Sequence, residues 1–237
     1  MAGKKFLRGE QLMVKILLDT ANIQKIESIA KYYDIKGVTT NPSILAKENV
    51  DLKKVLADLK YFAYNRYEIH IQTTEEICDD IVAEAKKLRE YFGETFYIKI
   101  PVTKEGLQAM KICRNIGINV TATAVLSATQ ALAAANQGAS YVAPYVNRLE
   151  NIGADVEQVI SDIKTLLADY HTDILAASFK NVNQFKNVIL AGAEAITIAP
   201  EVLDASLWHP YTDKSVEDFD KDWANKFGDK KIIDFLE

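Results

Sequence analysis

Cysteine is nearly absent: Cys78 and Cys113 are the only two. They lie far apart in stretches that read as helical, which excludes a disulfide framework and a cysteine metal spacing. Two reduced, partly buried thiols are the expectation. The three histidines, His70, His171 and His209, are scattered and show no ligand spacing, so no metal is expected. No apolar run approaches the roughly 20 residues of a membrane-spanning helix. The opening from Met1 to Glu10 is polar and basic, without the apolar centre of a secretory signal. A cytoplasmic protein away from membranes is expected. Basic residues do not dominate either: 28 Lys and Arg against 33 Asp and Glu leave a net charge of -5. That argues against a nucleic-acid partner. It leaves room for an anionic small molecule, because a phosphate responds to its local site and not to the global charge.

What is present is a large apolar fraction, 49% beside 26% charged residues, which suffices for an ordered core. A length of 237 residues is long for an average domain and normal for one α/β barrel. Short β-rich runs alternate with amphipathic helical stretches, the pattern of parallel βα units. Eight such runs recur: Lys15–Asp19, Gly37–Asn41, Glu68–Gln72, Phe96–Ile100, Asn119–Thr123, Tyr141–Val146, Ile174–Ser178 and Ala195–Ala199. Helical stretches between them include Glu75–Phe92, Gly106–Asn115, Ala128–Gln137, Val156–Tyr170 and Gln184–Ala191. Thr103 to Glu105 and Ser127 suit helix starts, and Gly93, Gly117, Gly138 and Gly192 suit helix ends.

Eight units without a long linker predict a closed (β/α)8 barrel, the TIM-barrel architecture. An open doubly wound sheet would want a glycine-rich loop after its first strand. The loop here, Asp19-Thr20-Ala21-Asn22, has no glycine. Residues 13–237 read as this single domain; residues 1–12 add nothing to the pattern and read as an upstream extension. A last helix, Val216–Phe227, follows the eighth unit and is placed to cover the barrel or to dock on a neighbouring subunit.

Functional groups of such barrels gather at the C-terminal ends of the strands. Asp19 ends the first run, and Thr39, Thr40 and Asn41 end the second. Gln72 ends the third, Lys99 lies on the fourth, and Thr121 and Thr123 end the fifth. Tyr145 and Arg148 follow the sixth, Ser178 ends the seventh, and the eighth offers no ionisable group. Lys99 is the most informative. Alternation along Phe96-Tyr97-Ile98-Lys99-Ile100-Pro101 sets the aliphatic side chains against the helices and aims Tyr97 and Lys99 into the barrel. A lysine there loses basicity by desolvation. Its neutral amine can attack a ketone and form an iminium, which then serves as an electron sink. The competing role is a buried structural pair with Asp19. Asp19 could instead position substrate hydroxyls, move a proton or cap the next helix. Asn41 before Pro42 also suits a turn. Arg148 suits bidentate phosphate binding or an ordinary surface position. His70 shares a face with Gln72 and suits either the site or a packed core.

Together these segments resemble the transaldolase family, and within it the small fructose-6-phosphate aldolase-like branch. The matching stretches are Leu18-Asp19-Thr20, Gly37 to Ile44, Ile98 to Thr103, Tyr141 to Arg148 and Ala176 to Lys180, in the family's order. The similarity runs from about Met13 to about Phe227. It implies that Lys99 is the Schiff-base lysine and that Asp19 engages substrate hydroxyls beside it. It implies that Asn41 and Thr39 contact the dihydroxyacetone portion, and that Arg148 and Ser178 bind phosphate. Gln72 and Tyr145 match the aldolase-like branch, where transaldolases carry glutamate and phenylalanine; Thr123 matches a residue sharing a catalytic water with them. Thr121 departs from that branch, which often has an apolar residue there, and is expected beside the substrate. The resemblance implies no cofactor, and it implies a ring-based homo-oligomer, up to a decamer, in which the last helix reaches a neighbour. The expected reaction is class I aldol cleavage of fructose 6-phosphate to dihydroxyacetone and glyceraldehyde 3-phosphate. The alternatives are a transaldolase that hands the dihydroxyacetone unit to another anionic sugar, and a non-catalytic barrel that binds a sugar phosphate.

Overall fold

The computed structural model describes residues 13–47 and 51–236. Eight parallel strands close into a barrel in chain order. They are β1 (Lys15–Asp19), β2 (Ile35–Thr39), β3 (Glu68–Gln72), β4 (Phe96–Pro101), β5 (Asn119–Val125), β6 (Tyr141–Pro144), β7 (Asp173–Ala176) and β8 (Ala195–Ile198). The ring closes where Leu17 of β1 pairs with Thr197 of β8. Around it run α1 (Ile23–Ile29), α2 (Pro42–Lys47), α3 (Leu52–Tyr64), α4 (Cys78–Phe92), α5 (Lys104–Asn115) and α6 (Ala128–Asn136). Then come α7 (Val146–Asn151), α8 (Val156–Leu166), α9 (Val182–Leu190), α10 (Pro200–Ala205) and α11 (Pro210–Phe227). The architecture is the expected (β/α)8 barrel with a helix added at its C-terminal end. The expected extension at 1–12 lies outside the described residues.

Strand alternation divides the apolar side chains into two cores. Phe96, Ile98 and Ile100 join the large outer core between strands and helices. Leu17, Tyr141, Leu175 and Ala195 form a small inner core with Tyr97 packed against it. Below the mouth, the barrel is filled by a polar cluster. Lys15 Nζ donates to the Tyr141 hydroxyl at 2.7 Å, and that hydroxyl donates to Glu68 Oε2 at 3.1 Å. The His70 ring stacks on Tyr97 with centroids 4.4 Å apart, and its Nδ1 lies 2.8 Å from Thr121 Oγ1.

β2 and β6 end earlier than the sequence pattern suggests, because helices begin directly behind them. β2 stops at Thr39, and Asn41 caps α2 by accepting from the Ile44 amide at 3.0 Å. β6 stops at Pro144, with Tyr145 at the N-cap of α7. α11 starts at Pro210 rather than Val216, since His209 caps it and proline is suited to the first turn. No residue of α11 is buried. Both thiols are free and buried. No helix among the described residues is long and apolar enough to cross a membrane.

One close approach fixes the strand that carries Lys99. Thr103 caps α5 by accepting from the Gly106 amide at 2.9 Å. A Cβ on Gly106 would lie 2.1 Å from the Pro101 carbonyl oxygen. Only glycine lets α5 sit this tightly on the end of β4.

Candidate active site

A cavity of about 630 Å³ opens at the C-terminal mouth of the barrel. Asp19, Asn41, Gln72 and Lys99 line it from the first four strands and the loops behind them. Tyr145, Arg148 and Ser178 line it from the opposite arc. Residues spread over 160 positions of sequence therefore meet because each ends an adjacent βα unit, as this architecture requires.

Lys99 is 4% exposed, and its Nζ donates to the Thr40 carbonyl at 2.8 Å. Burial pulls its ammonium below the ordinary lysine range, and the nearby Asp19 carboxylate only partly offsets this. The Asp19 carboxylate is itself engaged, since Thr39 Oγ1 donates to Oδ1 at 2.7 Å. The amine is thus held by a neutral acceptor, and no Lys99–Asp19 ion pair closes among the described residues. Asp19 does not cap α1; Asn22 does, accepting from the Lys25 amide at 3.0 Å.

Opposite, the Tyr145 hydroxyl lies 2.8 Å from Thr123 Oγ1. Thr123 is fully buried and reaches the cavity through that contact. The Arg148 guanidinium stacks over the Tyr145 ring, 4.7 Å from its centroid. Two residues lining the cavity hold left-handed backbone without being glycine: Ala124 at φ 57° and Ser178 at φ 67°. Ala124 sits where the β5–β6 register shifts, a bulge that re-aims the end of β5. Such conformations cost energy and persist where the surroundings fix them, commonly at functional sites.

Two of the expected contacts do not reach the cavity, and His70 takes the packed-core place that was one of its two readings. Thr39 is fully buried beneath Asp19, bonded to it and to Thr197 Oγ1 at 2.6 Å, and does not line the cavity. It supports Asp19 and makes no wall of the mouth. Thr121 is fully buried and bonded to His70, and it does not line the cavity either. It pairs in register with Lys99, but inward residues of adjacent strands belong to different layers of a barrel. His70 is likewise fully buried in that lower layer, a packed core histidine. Burial drives its basicity down, more than the Glu68 carboxylate can restore.

Two cations at the mouth escaped the sequence reading: Lys47, at the end of α2, and Lys180, two residues past Ser178. Both stand on loops or helix ends, where strand alternation carries no signal. Lys180's place within the matching Ala176–Lys180 stretch was the one clue to it. Among the described residues, no group of three or more His, Cys, Asp or Glu side chains is arranged to hold a metal ion. The site therefore offers a buried amine of reduced basicity with a carboxylate near it, a tyrosine hydroxyl on the opposite wall, and a cationic rim.

A family model for transaldolase/fructose-6-phosphate aldolase matches residues 16–234. A solved structure described as "Native KDPGal structure" superposes with a TM-score of 0.57 at 13% identity, over 86% of this chain and 88% of that one. A mandelate oxidase mutant with a monooxide FMN adduct gives a TM-score of 0.55 at 10% identity, over 80% of this chain and 65% of that one. At these identities the two structures bear on the fold alone.

Proposed function

The chain belongs to the transaldolase/fructose-6-phosphate aldolase family, and on that premise we propose that it is a cytoplasmic Schiff-base aldolase acting on fructose 6-phosphate. The observation that carries this reading is Lys99, buried at the base of a large polar cavity with its basicity reduced. The neutral amine attacks the C2 carbonyl, and the carbinolamine, protonated at its hydroxyl by solvent, loses water to give an iminium. Asp19 takes the proton of the C4 hydroxyl, the C3–C4 bond breaks, and its electron pair enters the iminium to form an enamine. Glyceraldehyde 3-phosphate leaves. A proton added at C3 and hydrolysis of the regenerated iminium then release dihydroxyacetone and free Lys99. Tyr145, through a water shared with Gln72 and Thr123, supplies that proton. Asn41 binds the dihydroxyacetone end, while Arg148, Ser178 and Lys180 hold the phosphate.

The Tyr145 hydroxyl favours cleavage over transfer, because protonation of the enamine ends the cycle before an acceptor aldehyde arrives. The experiment is a fructose 6-phosphate assay that quantifies free dihydroxyacetone with and without an added acceptor aldehyde. Release of free dihydroxyacetone without acceptor is the expected result. Turnover that requires the acceptor would make the chain a transaldolase, and binding without turnover would make it a sugar-phosphate-binding barrel.

The resemblance also supports assembly with further copies of the chain. α11 buries none of its residues, and Trp208 and Phe219 are 68% and 69% exposed. Light scattering of the full chain should give a multiple of the monomer mass, and removal of α11 should lower it.

A further inference from the structure

We propose that Gln184 is the positioning residue of the anion grip, tying the rim that bears Arg148 to the rim that bears Ser178 and Lys180. The proposal rests on the reading that these groups hold the substrate phosphate. Gln184 lies in the first turn of α9 and is 4% exposed, a buried polar side chain that no step of the chemistry uses. Its Oε1 accepts from the Lys180 amide at 2.6 Å. Its Nε2 donates to Asn147 Oδ1 at 3.3 Å and to the Glu150 carboxylate. One amide side chain thus spans from the loop after β7 to α7.

Packing alone does not set the distance between these rims. A cavity of about 220 Å³ opens beside Gln184, lined by Val146 and Glu150 of α7 and by Val188 of α9. Polar ties span that gap beside the buried Val146 and Val188. Asn147, the neighbour of Arg148, is held twice: its amide donates to the Ser178 carbonyl at 2.9 Å, and its side chain accepts from Gln184. Ser178 needs that support, because its left-handed backbone is unfavourable for any residue with a Cβ. With Gln184 gone, the Lys180 amide loses its acceptor and the loop is free to leave the strained conformation. The spacing of Arg148, Ser178 and Lys180 then loosens. Lys99, on β4 and capped by α5, keeps its place.

The test compares Gln184→Met with the wild type on fructose 6-phosphate and on fructose. Methionine keeps the length and removes every hydrogen bond. KM for fructose 6-phosphate should rise about ten-fold, the effect of losing one or two buried hydrogen bonds, with kcat changed less than about two-fold and the fructose parameters unmoved. In an Arg148→Ala background the same substitution should add little, because the group it positions is gone. An unchanged KM for fructose 6-phosphate, or an equal loss on fructose, overturns the proposal. Arg148→Ala alone separates the two failures: if it spares KM for fructose 6-phosphate, the phosphate reading has failed and this inference falls with it. Should Gln184→Met not fold, Gln184→Asn, one methylene too short to span both rims, is measured for the same split.

Discussion

The amine of Lys99 lies 2.8 Å from the carbonyl oxygen of Thr40, its hydrogen-bond acceptor in the buried base of the mouth. A carbonyl orients the amine without stabilising a positive charge as a carboxylate would, so desolvation prevails and the neutral form is favoured. Borohydride added with substrate should therefore fix a three-carbon adduct on Lys99, located by peptide mass mapping. Lys99→Arg should abolish turnover, since a guanidinium cannot form the imine. An adduct on another lysine would overturn this assignment. The lowered pKa also sets a direction: the reactive amine persists further toward neutral pH than an exposed lysine's, and adduct formation falls only as pH drops through the lowered value.

Tyr145→Phe removes the hydroxyl that faces Thr123. Release of free dihydroxyacetone should slow more than transfer to an added aldehyde. Each ten-fold change in that ratio corresponds to about 1.4 kcal/mol of differential barrier. A constant ratio would place the proton donor elsewhere.

Arg148→Ala should raise KM for fructose 6-phosphate by roughly one to two orders of magnitude, the effect of a charge-assisted bond worth about 1.5–3 kcal/mol. Fructose should be nearly unaffected. A loss of the same size on both sugars would assign Arg148 to holding the fold, through its stack on Tyr145.

Ser178 allows strain to be separated from contact. Ser178→Gly relieves the left-handed backbone while deleting the hydroxyl, so it should be as stable as the wild type or gain up to about 1 kcal/mol. Ser178→Ala keeps the strain and should show no such gain. Both should weaken binding of the phosphorylated sugar. Urea midpoints and KM values read the two effects independently, and a less stable glycine variant would contradict the strain argument.

His70 gives a pH dependence of known sign. Burial keeps it neutral in the folded protein, with its pKa below the ordinary value. Below about pH 6.5 the unfolded chain takes a proton that the folded one refuses. Stability then falls with pH by up to about 1.4 kcal/mol per unit until the folded pKa is reached. His70→Phe keeps an aromatic ring against Tyr97 and removes the titration. Urea unfolding at pH 7.5 and 5.5 should show a smaller acid loss in the variant; an equal loss in both would refute it.

The barrel and its central lysine were legible because both follow from periodicity. Alternation alone aims Lys99 inward and sends Ile98 and Ile100 to the helices. Depth is not legible this way. Thr39 and Thr121 face inward as the pattern indicates, yet strand tilt sets them in a layer beneath the cavity, where Asp19 and His70 occupy their hydroxyls. The cations Lys47 and Lys180 were not legible for a different reason: they stand on a helix end and a loop, where alternation carries no signal, and the loop of Lys180 is set by side-chain ties such as that of Gln184 to the Lys180 amide.

The polar cluster of Lys15, Glu68 and Tyr141 at the far end of the barrel makes the mouth a cul-de-sac with a single door. Whatever leaves must pass whatever enters. On the proposed mechanism a first aldehyde has to depart before a second can occupy its place over the covalent intermediate, so a two-substrate reaction here is expected to run ping-pong, with parallel double-reciprocal plots. The end of the barrel remote from the chemistry thereby leaves arrivals and departures to share one opening.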